Sequence, residues 1–317
     1  MKKLKLGVIG SGNISKYHIE ALRASNFSLE AISGSLNSES AKKLFKIYNF
    51  KKYYTSSSEL AFNSSKNLDA LLICCNTDNI VKYIKLAGKK IKILCEKPVS
   101  NDLKELKKIQ NSFTNVRVAY NRRFYDSVNF LKNNIKKENI NNYFVNIELP
   151  EKILRSRNKY KRVLENSVHI FDLMNFLFNN PEMTFFTKKL NKNKNFKIFQ
   201  FVSKKKNIVN LICNWNSSSN FKIEIFFSGG KYLLQPIEVL SIFKGMKIIE
   251  PSLNIPIRTY VPTKIFQTKF DKKKLKFKPG FKLQAENFYN FVKGRKNNLA
   301  NLRDAYNALS IASKVIK

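Results

Sequence analysis

Three short stretches of this chain carry residue types that could do chemistry. The first is Gly7-Val8-Ile9-Gly10-Ser11-Gly12-Asn13-Ile14-Ser15. Glycine at positions 10 and 12 would let an apolar strand turn tightly into a helix. Backbone N–H groups could then approach a pyrophosphate lying at the helix amino end. Ser15 stands where the dinucleotide fingerprint has its third glycine, and it is small enough for close packing. The second stretch is Cys95-Glu96-Lys97-Pro98. A lysine held beside a glutamate at a strand end could bind and polarise a hydroxyl or carbonyl oxygen, with Pro98 fixing the turn. The third is Glu165-Asn166-Ser167-Val168-His169-Ile170-Phe171-Asp172. On a helix Glu165 and His169 are four apart and His169 and Asp172 three apart, so all three share a face. A carboxylate bonded to the imidazole would orient it as a general base.

These residues need elements to position them. Strand-like runs at Lys5–Ile9, Leu29–Ile32, Lys52–Tyr54, Leu68–Cys75 and Ile91–Cys95 alternate with helical spacing near residues 15–25, 38–48 and 57–62. That alternation predicts an α/β class with a doubly wound parallel sheet, whose ligand crevice lies at the carboxyl ends of the strands. Glu30 sits at the wrong end of the second strand to select the cofactor's ribose. The strand's carboxyl end is Ser33-Gly34-Ser35, where Ser35 or Asn37 could bond a hydroxyl or a phosphate, so NAD and NADP both remain open. Beyond about residue 125 the pattern becomes an antiparallel meander, with runs at 143–149, 196–202, 208–215, 222–227 and 232–234. A helix is expected near 126–136, another over 166–178, and two more, near 283–293 and 301–316, close the chain. The Lys272–Lys278 run reads as a solvated loop or edge strand. Two domains are expected, 1–121 and 122–317.

Composition limits the function classes. The 317 residues include 59 Lys+Arg against 22 Asp+Glu, a formal charge of +37. The excess is spread, with 21 basic and 9 acidic groups up to residue 121 and 38 and 13 after it. Lysines number 49 and arginines 10, whereas phosphate and base readout favours arginine gathered in a patch. No nucleic-acid partner is expected. Four cysteines in apolar runs suit a reducing compartment rather than a disulfide framework, and two histidines are too few for a zinc cluster of the usual ligand count, so no metal is expected. With no apolar stretch of spanning length, a cytoplasmic protein with no membrane partner is the expectation. Arg122, Arg123, Arg155, Arg157 and Arg162 fall in segments that would form the crevice, where they could hold a substrate carboxylate or phosphate.

The combination resembles the Gfo/Idh/MocA oxidoreductases, the glucose-fructose oxidoreductase and inositol dehydrogenase group. The matching pieces are Gly10-Ser11-Gly12-Asn13-Ile14 with His18, Asn76-Thr77, Glu96-Lys97-Pro98, Asn121-Arg122-Arg123-Phe124, His169 with Asp172, and the closing helices. The resemblance implies a Rossmann domain followed by an α+β domain with a large open antiparallel sheet, and homodimers or homotetramers packed through that sheet. It implies NAD or NADP held at Gly10, Gly12, Asn13, Ile14, Ser35, Asn76, Thr77, Glu96 and Asn121. It further implies a carbohydrate substrate whose carbinol is bracketed by Lys97 and His169; the clustering of the arginines offers Arg122, Arg155 and Arg157 to hold that substrate, and helix spacing puts Glu165 and Asp172 beside the histidine. Hydride then passes between a secondary alcohol of a sugar, cyclitol or sugar derivative and the nicotinamide. A cofactor-retaining glycosidase and a non-catalytic cofactor sensor are the alternatives. The chain departs from the family pattern at Glu165 and Ser167, where Asp and Gly are common, and at Asp78 and Lys82, where Pro and His are common.

Overall fold

A computed structural model describes residues 2–151, 166–186, 196–203, 205–215 and 217–316. The chain forms two compact units. The first holds the chain as far as Phe124, a stretch ending at Leu173, and everything from Leu275 onward; the second holds the intervening residues from Tyr125 and from Met174 to Lys274. The expected boundary between 121 and 122 is therefore corrected, because the chain returns twice to its first unit.

The first unit is built on a six-stranded parallel sheet in the order β3-β2-β1-β4-β5-β6. Its strands are β1 (Leu4–Ile9), β2 (Phe27–Ser33), β3 (Lys52–Tyr54), β4 (Ala70–Ile73), β5 (Lys92–Cys95) and β6 (Val116–Val118). All four residues of β4 are fully buried, as expected of a strand covered on both faces. The connecting helices are α1 (Ser15–Arg23), α2 (Glu39–Tyr48), α3 (Ser57–Asn67), α4 (Thr77–Ala87) and α5 (Leu103–Ile109). Local chemistry sets their ends: Ser38 Oγ accepts the Ala41 N–H at 3.2 Å to start α2, and Asn49, at φ 53°, ends it in the left-handed region. Strand order reverses between β1 and β4, so a crevice opens beyond their carboxyl ends.

Two late helices, which we number α8 (Phe281–Val292) and α9 (Leu302–Ile316), complete this unit. Phe281, Ala285, Phe288 and Phe291 recur at helical spacing and join a core with Leu6, Val8, Ile19, Leu22 and Phe27. Phe288 stacks on Phe27 with ring centroids 5.7 Å apart. Burying those rings contributes on the order of 2 kcal/mol each, which is why the closing segment belongs with the parallel sheet.

The second unit contains α6 (Asp126–Lys137) and an eight-stranded sheet in the order β14-β13-β12-β11-β7-β10-β9-β8. Its strands are β7 (Tyr143–Leu149), β8 (Glu182–Phe186), β9 (Phe196–Val202), β10 (Ile208–Asn214), β11 (Lys222–Phe227), β12 (Gly230–Leu234), β13 (Leu240–Ile249) and β14 (Thr259–Gln267). The sheet is mostly antiparallel. The expectation of a plain antiparallel meander fails at one pair, since β10 enters beside β7 in the parallel sense. That register sets Val209, Leu211 and Cys213 opposite Val145, Ile147 and Leu149, and all six are fully buried. Matching two alternating apolar faces decides the pairing. The Lys272–Lys274 stretch is an exposed single turn. A further helix, α7 (Val168–Phe178), carries the histidine of interest. No helix among the described residues is long and apolar enough to cross a membrane.

Candidate active site

The glycine loop follows β1 directly. Gly10 has φ 107°, and a Cβ there would lie 2.4 Å from the Cys74 carbonyl oxygen; only glycine lets β1 and the turn after β4 come so close. Beside Gly12 nothing lies within 4 Å of the place a Cβ would take. An open face of bare backbone at the start of α1 is what a pyrophosphate requires. Ser15, in the third-glycine position, is fully buried with Oγ 3.0 Å from Cys74 Sγ, so a small side chain does serve close packing of helix on strand. Asn13 is exposed, and Ile14 is the cap residue immediately before α1.

At the end of β5, Glu96 is tied down from both sides. Its Oε1 lies 2.7 Å from His18 Nε2 and its Oε2 accepts the Lys97 N–H at 3.2 Å. Burial alone would raise this carboxyl; the His18 bond, with His18 and Lys97 charge beside it, holds it below the usual carboxylate range. His18 rests in turn on the Phe281 ring, 4.7 Å between centroids. Glu96 thus braces the turn that presents half-buried Lys97, which is joined to Pro98 by a cis peptide bond. Of the other positions expected around the dinucleotide, Asn76 precedes α4 and is exposed, Thr77 opens that helix, and Ser35 is exposed just past β2. Asn121 is buried and its Nδ2 donates to the Pro279 carbonyl at 3.0 Å, which fixes the loop before α8.

His169 lies on the first turn of α7, 6% exposed, with Tyr120 edge-on at 5.8 Å between ring centroids. Its Nδ1 is buried and makes no hydrogen bond. Burial first, then the charges of Lys97, Arg122 and Lys278, hold the imidazole well below its ordinary range, so it is neutral at physiological pH. The expected Asp172–His169 pair is corrected by the geometry. Asp172 gives both oxygens to Arg123 instead, accepting from Nη2 at 2.6 Å and Nε at 2.7 Å. The fork of a guanidinium matches a carboxylate at two points, and the imidazole cannot compete. Asp304 adds a third contact to Arg123 at 3.4 Å. Burial would lower the guanidinium, but Asp172 and Asp304 outweigh it and keep it charged. Arg122 turns the other way, donating from Nη2 to Asn166 Oδ1 at 2.6 Å.

Lys97, Arg122, His169, Asp172 and the glycine loop therefore all belong to the first unit. Glu165, Arg155, Arg157 and Arg162 lie outside the described residues. Sequence reasoning placed Arg123 among the crevice arginines but not as the partner of Asp172, and it missed Tyr120 and Lys278. Arg123 was visible as the second of two adjacent arginines in a chain that has few; Tyr120 gave no signal; Lys278 was hidden in a lysine run. The Lys278 ammonium lies 4.9 Å from the Tyr17 ring centroid and 5.5 Å from that of Phe281.

Residues 4–122 match the model of an oxidoreductase family described as having an NAD-binding Rossmann fold. The model is that of the Gfo/Idh/MocA oxidoreductases. Over the whole chain, the fold recurs in solved structures. A dehydrogenase (MviM) from Clostridium difficile is 19% identical with a TM-score of 0.73, covering 99% of each chain. The myo-inositol dehydrogenase from Lactobacillus casei, solved with NAD(H) and myo-inositol, is 16% identical with a TM-score of 0.70, over 98% of this chain and 93% of that one. The UDP-N-acetylglucosamine 3-dehydrogenase from Acidithiobacillus ferrooxidans is 15% identical with a TM-score of 0.70, over 99% and 97%. Among curated proteins none matches the chain by sequence.

Proposed function

We propose that the protein is a dehydrogenase that moves a hydride between a nicotinamide dinucleotide and a secondary alcohol of a sugar, cyclitol or sugar derivative. The observation that carries this reading is the pairing of a half-buried lysine with a buried, neutral histidine beside a dinucleotide loop. Gly10, Gly12 and the amino end of α1 would hold the pyrophosphate, and the β2 end would meet the adenosine ribose. When bound, the nicotinamide ring supplies the hydride acceptor. The remaining work falls to side chains of this chain. Lys97 donates from Nζ to the carbinol oxygen and stabilises the negative charge that grows there. His169, held neutral by its cationic surroundings, takes the hydroxyl proton as the alcohol becomes a ketone and returns it in the reverse direction. Arg123 and Asp172 fix the first turn of α7, on which that histidine stands.

The three cations around His169 favour a substrate that brings negative charge, either a carboxylate or the phosphates of a nucleotide-linked sugar. Such a group would offset a field that otherwise opposes protonation of the base. The test is direct. Lys97→Ala should lower turnover by about 10²–10³-fold while dinucleotide binding, followed by calorimetry, stays within about threefold. Wild-type turnover in that variant would remove the lysine from the chemistry. Failure of the intact protein to change nicotinamide absorbance with any class of sugar or polyol, neutral or acidic, would remove the dehydrogenase.

A further inference from the structure

A dinucleotide bound as above leaves one contact to identify, the group that meets the 2′ position of its adenosine ribose. In a sheet of this order that position lies past the carboxyl end of the second strand, where an acidic side chain accepts the ribose hydroxyls and repels a phosphate. Here β2 ends at Ser33, and Gly34, Ser35, Leu36, Asn37 and Ser38 follow with no carboxylate among them. The flanking carboxylates are already engaged. Glu30, back within β2, lies 3.0 Å from Lys51 Nζ and accepts Ser28 Oγ at 2.8 Å. Glu39, in the first turn of α2, accepts Lys42 Nζ at 2.8 Å.

What does gather there is hydroxyl. Ser11, the residue between the two loop glycines, has its Oγ 2.7 Å from Ser40 Oγ and 3.1 Å from Ser38 Oγ, and the last two are 3.0 Å apart. This triangle joins the loop suited to the pyrophosphate with the loop past β2, the two segments that flank the ribose. Helix capping accounts for Ser38, whose Oγ accepts the Ala41 N–H; it accounts for neither Ser11 nor Ser40. A hydroxyl can donate or accept, so three hydroxyls now satisfying one another can turn and donate to phosphate oxygens instead. Glu39 and Lys42 offset one another beside this corner, so no net negative charge opposes a phosphate there.

We propose that Ser11, Ser38 and Ser40 receive a 2′-phosphate, so that the protein prefers NADP(H) to NAD(H). The proposal rests on the dinucleotide reading above and is tested by binding, without turnover. Calorimetric titration of the intact protein should give a Kd for NADP+ at least about tenfold below that for NAD+. The double change Ser11→Ala with Ser40→Ala should weaken NADP+ alone and bring the ratio below about threefold. Ser35→Asp, which restores a carboxylate at the strand end, should reverse the preference. All three positions are at least partly exposed, and a thermal melt confirms that each variant is folded. A wild-type ratio below about threefold, or a ratio unchanged in the serine double variant, overturns the proposal. Tighter binding of NAD+ would remove this preference and leave the dehydrogenase standing; binding of neither dinucleotide would remove both.

Discussion

The buried pair of Arg123 and Asp172 offers a quantitative test of how His169 is held. Both side chains are nearly sealed, at 5% and 1% exposure, and they meet through two bonds of 2.6 and 2.7 Å. Removing one partner strands a charge in a medium that cannot solvate it, a loss of about 3–5 kcal/mol. Asp172→Ala should therefore lower Tm by roughly 6–20 °C, taking about 2–4 °C per kcal/mol for a unit of this size. Asp304 is the internal control: its contact is longer, 3.4 Å, and a quarter of its side chain is exposed. Asp304→Asn should cost about 1 kcal/mol or less. Replacing both partners with apolar side chains of similar shape, Arg123→Met with Asp172→Leu, leaves no stranded charge and should recover most of the stability. Denaturant unfolding of wild type, Arg123→Met, Asp172→Leu and the double variant measures the coupling. A single variant that loses under about 1 kcal/mol, or a double variant as unstable as the sum of its parts, would mean that the pair is not the anchor its geometry indicates.

Two further outcomes are expected, one for each unit. His169 is neutral when folded and ordinary when unfolded, so below about pH 6.5 the unfolded chain gains a proton that the folded one refuses. Stability then falls with falling pH by up to about 1.4 kcal/mol per pH unit, and denaturant unfolding at pH 7.5 and 5.5 should show wild type losing about 1 kcal/mol more than His169→Gln; equal losses would refute the assignment. On the second unit, the cross-strand pairs Ile248–Tyr260 and Met246–Pro262 join β13 to β14, with Ile248, Tyr260 and Met246 all more than half exposed. An apolar strip of this kind is suited to a second copy of the chain, so light scattering should find an oligomer that Ile248→Lys with Tyr260→Lys dissociates, and a wild-type monomer would exclude it.

Much of this site is legible in the residues alone, and the reasons differ by residue. The places of Gly10, Gly12 and Lys97 were legible because they depend on backbone position, which a strand end and a glycine spacing reveal locally. His169 was legible as a type, yet its partner was not. Spacing along a helix says which side chains share a face, but Asp172 chose between an imidazole on its own helix and a guanidinium from a segment 49 residues earlier. Such a competition is decided by tertiary contact and by charge, neither of which a local pattern holds. The same limit explains the second sheet, where five of the eight strands were found but β8, β13, β14 and the parallel entry of β10 beside β7 were not. It also explains the domain boundary, since nothing in the composition of α8 announces that Phe281 and Phe288 belong with Phe27.

That return of the chain has a bearing on how the protein is made. A ribosome delivers the nucleotide-binding strands first, yet Phe27, Ile19 and Leu22 lack their aromatic cover until α8 emerges more than 150 residues after Phe124. At ordinary synthesis rates that interval is on the order of 10–30 s. Throughout it the stretch up to Phe124 presents an unfinished apolar face, while the whole second unit is being produced. The unit built on the parallel sheet is thus begun before the second unit and completed after it, and chaperone occupancy of nascent chains should be concentrated between those two events.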